Sequence, residues 1–277
     1  MNYSLVYTSN AGSIDFGFES GIVIEQFDAF GGVDTEFTTA ANANGYGDKV
    51  ESTKVRSMNI TVSGTIIGKA SEKRERMYRV ISPMQPAKLL FNGQWYMDVF
   101  VKKSPTIEPY STNAGFSFML YAPVPYWKNS GGTSVVLNGI VPQFSFPITW
   151  GEPLQFSTLR SGTANVLNNG DAPSAWELSI VAGAEIVNPT VTKVATNEFI
   201  RINTTLAAGQ QLLLSTVGDE MNVVVVHSDG TEVSLYDAID IDSTRFALTV
   251  GDNVLSVTPA DDRNLCTITF YKLLSGV

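Results

Sequence analysis

RVISPMQPAKLLFNGQWYMDVFV (Arg79–Val101) is the stretch on which the fold turns. Leu89-Leu90-Phe91 leads into Asn92-Gly93, and Gln94–Val101 follows. Asn-Gly supplies the two positive φ angles that a type I′ turn requires, so the segment predicts a β-hairpin. On its second strand Trp95, Met97, Val99 and Val101 share one face, and Tyr96, Asp98, Phe100 and Lys102 share the other. Pro83 and Pro86, just upstream, close off whatever precedes them.

What precedes them reads as a helix over 71–82. Ser71 can cap it, Glu72 suits its first turn, and Met77, Val80 and Ile81 form an apolar stripe at helical spacing. Its other face carries Lys73, Arg74, Arg76 and Arg79. Further upstream, Val55, Met58, Ile60, Val62, Ile66 and Ile67 predict a strand within 54–67. The small, polar residues TTAANANGYGDK (38–49) predict a mobile loop or hairpin tip. Downstream, Phe116–Tyr121 reads as a strand ending in Pro123, Pro125, Tyr126 and Trp127. KNSGGT (128–133) reads as a connection.

Beyond it, strand follows turn. Trp176–Val181, Phe199–Ile202, Gln211–Leu214 and Met221–His227 alternate or run apolar, and Ser228-Asp229-Gly230 turns the chain into Thr231–Tyr236. Later, Phe246, Leu248 and Val250 alternate, and the last strand puts Cys266, Ile268 and Phe270 on one face. Many short strands at even spacing predict a β-sandwich of jelly-roll type.

Charge divides the 277 residues in two. Residues 1–129 hold 12 Lys+Arg and 12 Asp+Glu, whereas residues 130–277 hold 6 and 15, so the whole net charge of −9 sits in the second part. Two modules are expected, and the second is unsuited to gripping nucleic acid, which needs basic side chains. Cys266 is the single cysteine, which excludes an intramolecular disulfide. No apolar run approaches the ~18 residues of a membrane helix. The opening MNYSLVYTSNAGS has neither a basic nor an apolar leader region, so no signal peptide is expected, and the chain is expected to be made in a cytoplasm.

Chemistry is hard to place. His227 is the only histidine, and a nucleophilic dyad would have to pair it with Cys266 or a serine; both lie in strand-like contexts. One histidine and one cysteine are too few for a zinc site. Carboxylates gather at Asp219-Glu220, Asp237, Asp240, Asp242, Asp252 and Asp261-Asp262. Such pairs can run glycoside hydrolysis or hold calcium, but turns favour Asp for local backbone bonds, and EF-hand spacing is absent. No Walker A, strand–helix GxGxxG or G-x-S-x-G sequence occurs. No enzyme activity, cofactor or metal is expected. Tryptophans such as Trp150 and Trp176, with Tyr236, are candidates for sugar or partner contact, and Arg74, Arg76 and Arg79 for subunit contact.

FGFESGIVIEQFD (Phe16–Asp28), the helix–Pro–hairpin order through Val101, and FSFMLYAPVPYW (Phe116–Trp127) together resemble the first domain of the distal tail proteins of long, non-contractile-tailed phages and prophages. FPITW (Phe146–Trp150), NNGDAPSAWELSIVAGAEIVNPTV (Asn168–Val191), FIRINTTLAAGQQLLLS (Phe199–Ser215) and FALTVGDNVLSV (Phe246–Val257) resemble its second, galectin-like domain. Val124-Pro125 departs from the acidic residue that often precedes this proline in the family. The resemblance implies a mainly β chain. A ring-forming domain with one helix spans 1–129, a linker 130–146, and a galectin-like sandwich 147–277. It also implies a hexameric ring in the virion's tail tip, with DNA passing through the channel without specific binding. The expected partners are further copies, the major tail tube protein, a tail-tip protein and receptor-binding proteins, and no membrane. A carbohydrate-binding sandwich is the alternative.

Overall fold

Asn92 and Gly93 take φ of 50° and 65°, and the Gln94 amide donates to the Phe91 carbonyl at 3.1 Å, which makes the type I′ turn. Gln94 is an extra residue, so Phe91 lies opposite Trp95. From there Leu89 faces Met97 and Ala87 faces Val99. Leu89, Phe91, Met97, Val99 and Val101 are all buried. Asn92 also ties the turn to the chain's beginning: its amide donates to the Ser4 carbonyl, and its Oδ1 accepts from the Ser4 amide, both at 2.8 Å.

The computed structural model describes residues 4–43, 45–110, 112–142, 157–160 and 162–277. They fall into two units, Met1–Gly131 with Leu273–Val277, and Gly132–Lys272. The first holds β1 (Leu5–Ser9), β2 (Gly12–Phe16), β3 (Ile22–Phe27), β4 (Thr35–Ala41), β5 (Asp48–Val55), β6 (Met58–Lys69), helix α1 (Ser71–Val80), β7 (Pro86–Phe91), β8 (Trp95–Ile107), β9 (Thr112–Ala122) and β10 (Trp127–Asn129). Its main sheet runs β2-β1-β7-β8-β9-β6-β3, with β10 paired to β8 off this run, and a single bridge, Gly17–Ile22, joins the end strands β2 and β3 at one corner. Helix α1 buries Met77 and Val80 against this sheet, with Ile81 just beyond its end.

The helix departs from expectation at both ends. Ser71 does not cap it; Ala70 is the cap residue and makes no side-chain bond. The reason is burial: Ala70 is wholly inside the core, where a polar capping side chain would have to be desolvated. At the other end the helix stops at Val80, two residues before the expected 82, and the Ile81 amide closes it by donating to Met77.

The second unit holds β11 (Thr133–Pro142), β12 (Ser157–Arg160), β13 (Thr163–Asn168), β14 (Trp176–Val181), β15 (Ile186–Val187), β16 (Thr190–Lys193), β17 (Glu198–Arg201), β18 (Thr205–Leu206), β19 (Gln211–Ser215), β20 (Asn222–Val226), β21 (Glu232–Ser234), β22 (Gly251–Thr258) and β23 (Leu265–Phe270). One sheet runs β12-β11-β23-β14-β19-β20-β21, the other β13-β22-β16-β17. Leu178, Ile180, Leu212, Leu214, Ile268 and Phe270 from the first meet Val166, Val191, Ile200, Leu255 and Val257 from the second in one core. This is the face-to-face packing of a β-sandwich. The chain as a whole is mainly β.

The connection between units is shorter than the expected 130–146. Thr133–Pro142 is strand β11, which pairs with β23 and buries Leu137. A register shift between Val136 and Asn138 breaks its alternation, which hid it in the sequence. The last residues return to the first unit. Strand β24 (Leu273–Leu274) pairs with β10, and the Val277 amide donates to the Phe30 carbonyl at 3.0 Å. Leu274 and Val277 pack on the first unit's core. Deleting residues 273–277 is therefore expected to destabilise the first unit by about 2 kcal/mol, from apolar area returned to water. Urea unfolding followed by exchange of first-unit amides checks this.

Candidate subunit-contact surfaces

β4 and β5 form a hairpin that pairs with no other strand of the described chain. Every residue of β5 is exposed, and none of β4 is buried. The register places Thr35 opposite Val55, Phe37 opposite Thr53 and, past a bulge, Thr39 opposite Val50. Alternation then gathers Phe37, Val50 and Val55 on one face, with Glu36, Lys49 and Lys54 on the other. Phe37 is 58% and Val50 52% exposed, so the apolar face is open to solvent. At the base Arg56 pairs with Glu36 at 2.9 Å, and its amide donates to the Asp34 carbonyl at 2.8 Å. The Arg56 hydrogen bond and charge hold the Glu36 carboxyl below its ordinary range. The expected loop or hairpin tip at 38–49 is thus the outer part of a longer ribbon.

The helix arginines divide. Arg74 is a clamp inside the first unit, donating to the carbonyls of Glu108 and Tyr110. Arg76 donates to the Ser13 carbonyl at 2.8 Å, and Arg79 pairs with Glu75 one turn away. Both remain exposed.

Of the aromatic candidates, Trp150 lies outside the described residues. Trp176 is a core residue: it is fully buried, its ring centroid is 5.0 Å from that of Phe246, and Nε1–H donates to the Phe246 carbonyl at 2.9 Å. It offers no face to a sugar or a partner. Tyr236 begins a short 3₁₀ turn and is exposed.

The reactive residue types are dispersed. His227 follows β20 and Cys266 lies on β23, with β14 and β19 between. Three strand spacings separate them by roughly 14 Å, too far for a proton-transfer pair. His227 Nδ1 instead meets Gln210 Nε2 at 2.7 Å. Burial pushes the Cys266 thiol up from 9.0 to about 12. It is expected not to react with a thiol reagent at pH 8 in the native protein, and to react fully in denaturant. The unfolded thiol ionises from about pH 9 while the folded one stays neutral. Stability should therefore fall as pH rises from there towards 12, a slope that Cys266→Ala reduces.

Carboxylates serve turns. Asp240 accepts from the Asp242 amide at 3.0 Å and from Asn203 Nδ2 at 3.1 Å, bonds that hold its carboxyl below the usual range. Asp229 accepts from the Thr231 amide, and Asp261 from Arg263. Among the described residues no cluster of His, Cys, Asp or Glu is arranged to hold a metal ion.

Residues 169–272 match the family model described as the siphovirus-type tail component, C-terminal domain. No curated protein matches the chain. Among solved structures it is similar to the Dit protein of phage SPP1, described as a paradigm of the hub adsorption apparatus in phages infecting Gram-positive bacteria. The TM-score is 0.67 at 13% identity, over 99% of each chain. It is also similar to a chain of the phage p2 baseplate in its activated conformation with Ca, with a TM-score of 0.58 at 12% identity over the full length of both. The same baseplate with Sr gives a TM-score of 0.56 at 11% identity. The fold is shared from end to end.

Proposed function

We propose that this chain is a non-catalytic structural subunit of a phage tail tip, one whose copies close head to tail into a hexameric ring. The observation that carries this reading is the β4–β5 ribbon. An isolated two-stranded ribbon is marginal in water, and this one leaves Phe37, Val50 and Val55 uncovered. A neighbouring copy that covers this face completes it. The run of the main sheet ends in β2 and β3, whose outer backbone groups beyond the Gly17–Ile22 bridge suit strand addition. A ribbon on one surface meeting a sheet on another is a heterologous contact, and such contacts make a ring when the rotation closes.

The remaining parts agree with this use. The charge balance of residues 1–129 suits a channel through which DNA slides, because each additional phosphate contact would retain it. The second unit holds tail-tip or receptor-binding proteins, and the first meets the major tail tube protein. The assembly belongs to the virion. The sugar-binding alternative retains only Tyr236 among the aromatic candidates whose surroundings are described, because Trp176 is buried.

Negative-stain microscopy of the purified chain, alone and with a tail tube protein, tests the reading. Closed rings with a central channel are expected. Dispersed single particles under both conditions would refute it.

A further inference from the structure

The outward face of the second unit's larger sheet holds a groove of about 410 Å³. Ser179, Leu213, Val224 and Ser234 lie side by side in one cross-strand row. Leu213, 37% exposed, and the half-buried Val224 make its apolar centre. Glu177 and Glu232 both line the groove. Glu177 stands one row to one side, on β14, and Glu232 one row to the other side, three strands away on β21. Strand spacing and rise put their backbones roughly 20 Å apart. That distance excludes both a shared cation and the paired carboxylates of a glycosidase.

Neither carboxylate has a Lys or Arg partner among the described ion pairs. Four cations of the same unit are engaged elsewhere. Arg201 pairs with Asp240, Arg263 with Asp261, Arg245 donates to the carbonyls of Thr216 and Asp219, and buried Lys193 donates to Ala247. The groove is therefore apolar in the middle and negative at two opposite corners, in a unit whose charge is strongly negative. A polyanion is repelled there, and the described lining has no aromatic side chain on which a sugar ring could stack.

We propose that this groove seats an extended segment of a partner protein, with an apolar centre and a Lys or Arg near each end. An extended chain covers ~20 Å in about six residues, which sets the spacing of the two cations. The proposal rests on the reading of the second unit as the holder of other tail proteins, and it names the chemistry of what is held.

Fluorescence anisotropy of the full chain with three labelled nine-residue peptides tests it. One has Lys at two positions six apart around a Val/Leu centre; one has Glu at those positions; one keeps Lys but has a Ser/Gly centre. The Lys-apolar peptide is expected to bind, at least tenfold more weakly at 0.5 M than at 0.05 M salt. Its affinity should fall at least tenfold in Glu177→Gln/Glu232→Gln and in Leu213→Asp. Equal binding of the Glu peptide, unchanged affinity in the double variant, or no saturable binding would overturn the proposal. Copy number is measured in the same samples. Intact rings without peptide binding remove the groove alone, and a monomeric wild-type chain removes the hub reading.

Discussion

Replacing residues 36–54 by a four-residue Gly-Ser turn is expected to abolish the proposed ring assembly and leave a folded monomer. The ribbon contributes no residue to either core. Its loss should therefore change the stability of the first unit by no more than about 0.5 kcal/mol, the range of surface changes that touch no core, cap or buried network. What is lost is the uncovered face: Phe37 and Val50 are removed, and Val55 is left without the ribbon that presents it beside them. Burying those three side chains between copies is worth several kcal/mol per joint, since each contributes roughly 1.5–3 kcal/mol when fully covered. A closed ring repeats the joint at every subunit, so the effect on assembly is large. Sedimentation velocity distinguishes the outcomes: a single slow species is expected for the variant and a fast one for the parent. Phe37→Asp should reproduce most of the effect without shortening the chain. A variant that still sediments as a ring would show that the copies meet elsewhere.

Trp176→Ala is expected to cost the second unit about 3–5 kcal/mol, the usual penalty for emptying a large aromatic site in a core. The side chain is fully buried against Phe246, in the cluster to which Leu178 and Leu248 also belong. Truncation also removes the donor to the Phe246 carbonyl, and an unpaired buried acceptor adds roughly 1–3 kcal/mol unless water reaches it. Urea unfolding with hydrogen exchange on peptides from residues 162–272 reads the loss. Trp176→Phe, which keeps much of the volume and loses only the indole donor, should fall in between. A near-wild-type Trp176→Ala would mean that the aromatic is not part of the packed interior.

Much of this architecture could be read where local chemistry decides it. Asn92-Gly93 specifies its turn through φ alone, and Met77, Val80 and Ile81 specify the buried stripe of α1 by spacing alone. Elsewhere the deciding contact is remote. Ala70 is a cap because the core surrounds it, and Leu273–Val277 joins the first unit through residues 29–32 and β10, which no local pattern reveals. Strand β11 escaped because its bulge at Val136–Asn138 disrupts the alternation that would have marked it.

The contact surfaces were less legible than the fold. Trp176 carried a usable signal: it alternates with Leu178 and Ile180, both of which face the core, and that parity places the indole inside. Arg74 gave no comparable hint, because its partners are backbone carbonyls more than 30 residues away. The ribbon was only half visible. Its tip is rich in Gly and Asn, but Phe37, Val50 and Val55 come onto one face only through a bulge that shifts the register between Thr38 and Thr39. The groove over Leu213 and Val224 was invisible for a similar reason. It is assembled from β14, β19, β20 and β21, and the pairing that sets Leu213 beside Val224 and Glu177 and Glu232 at opposite corners shows in no one segment.

The central claim is that this scaffold works by being joined to copies of itself. The most direct test is the mass of the native assembly, measured by native mass spectrometry over a range of micromolar concentrations. The account predicts a species of hexameric mass that collapses to one chain when residues 36–54 are replaced. A single-chain mass for the unaltered protein at every concentration, with and without a tail tube protein, would contradict it.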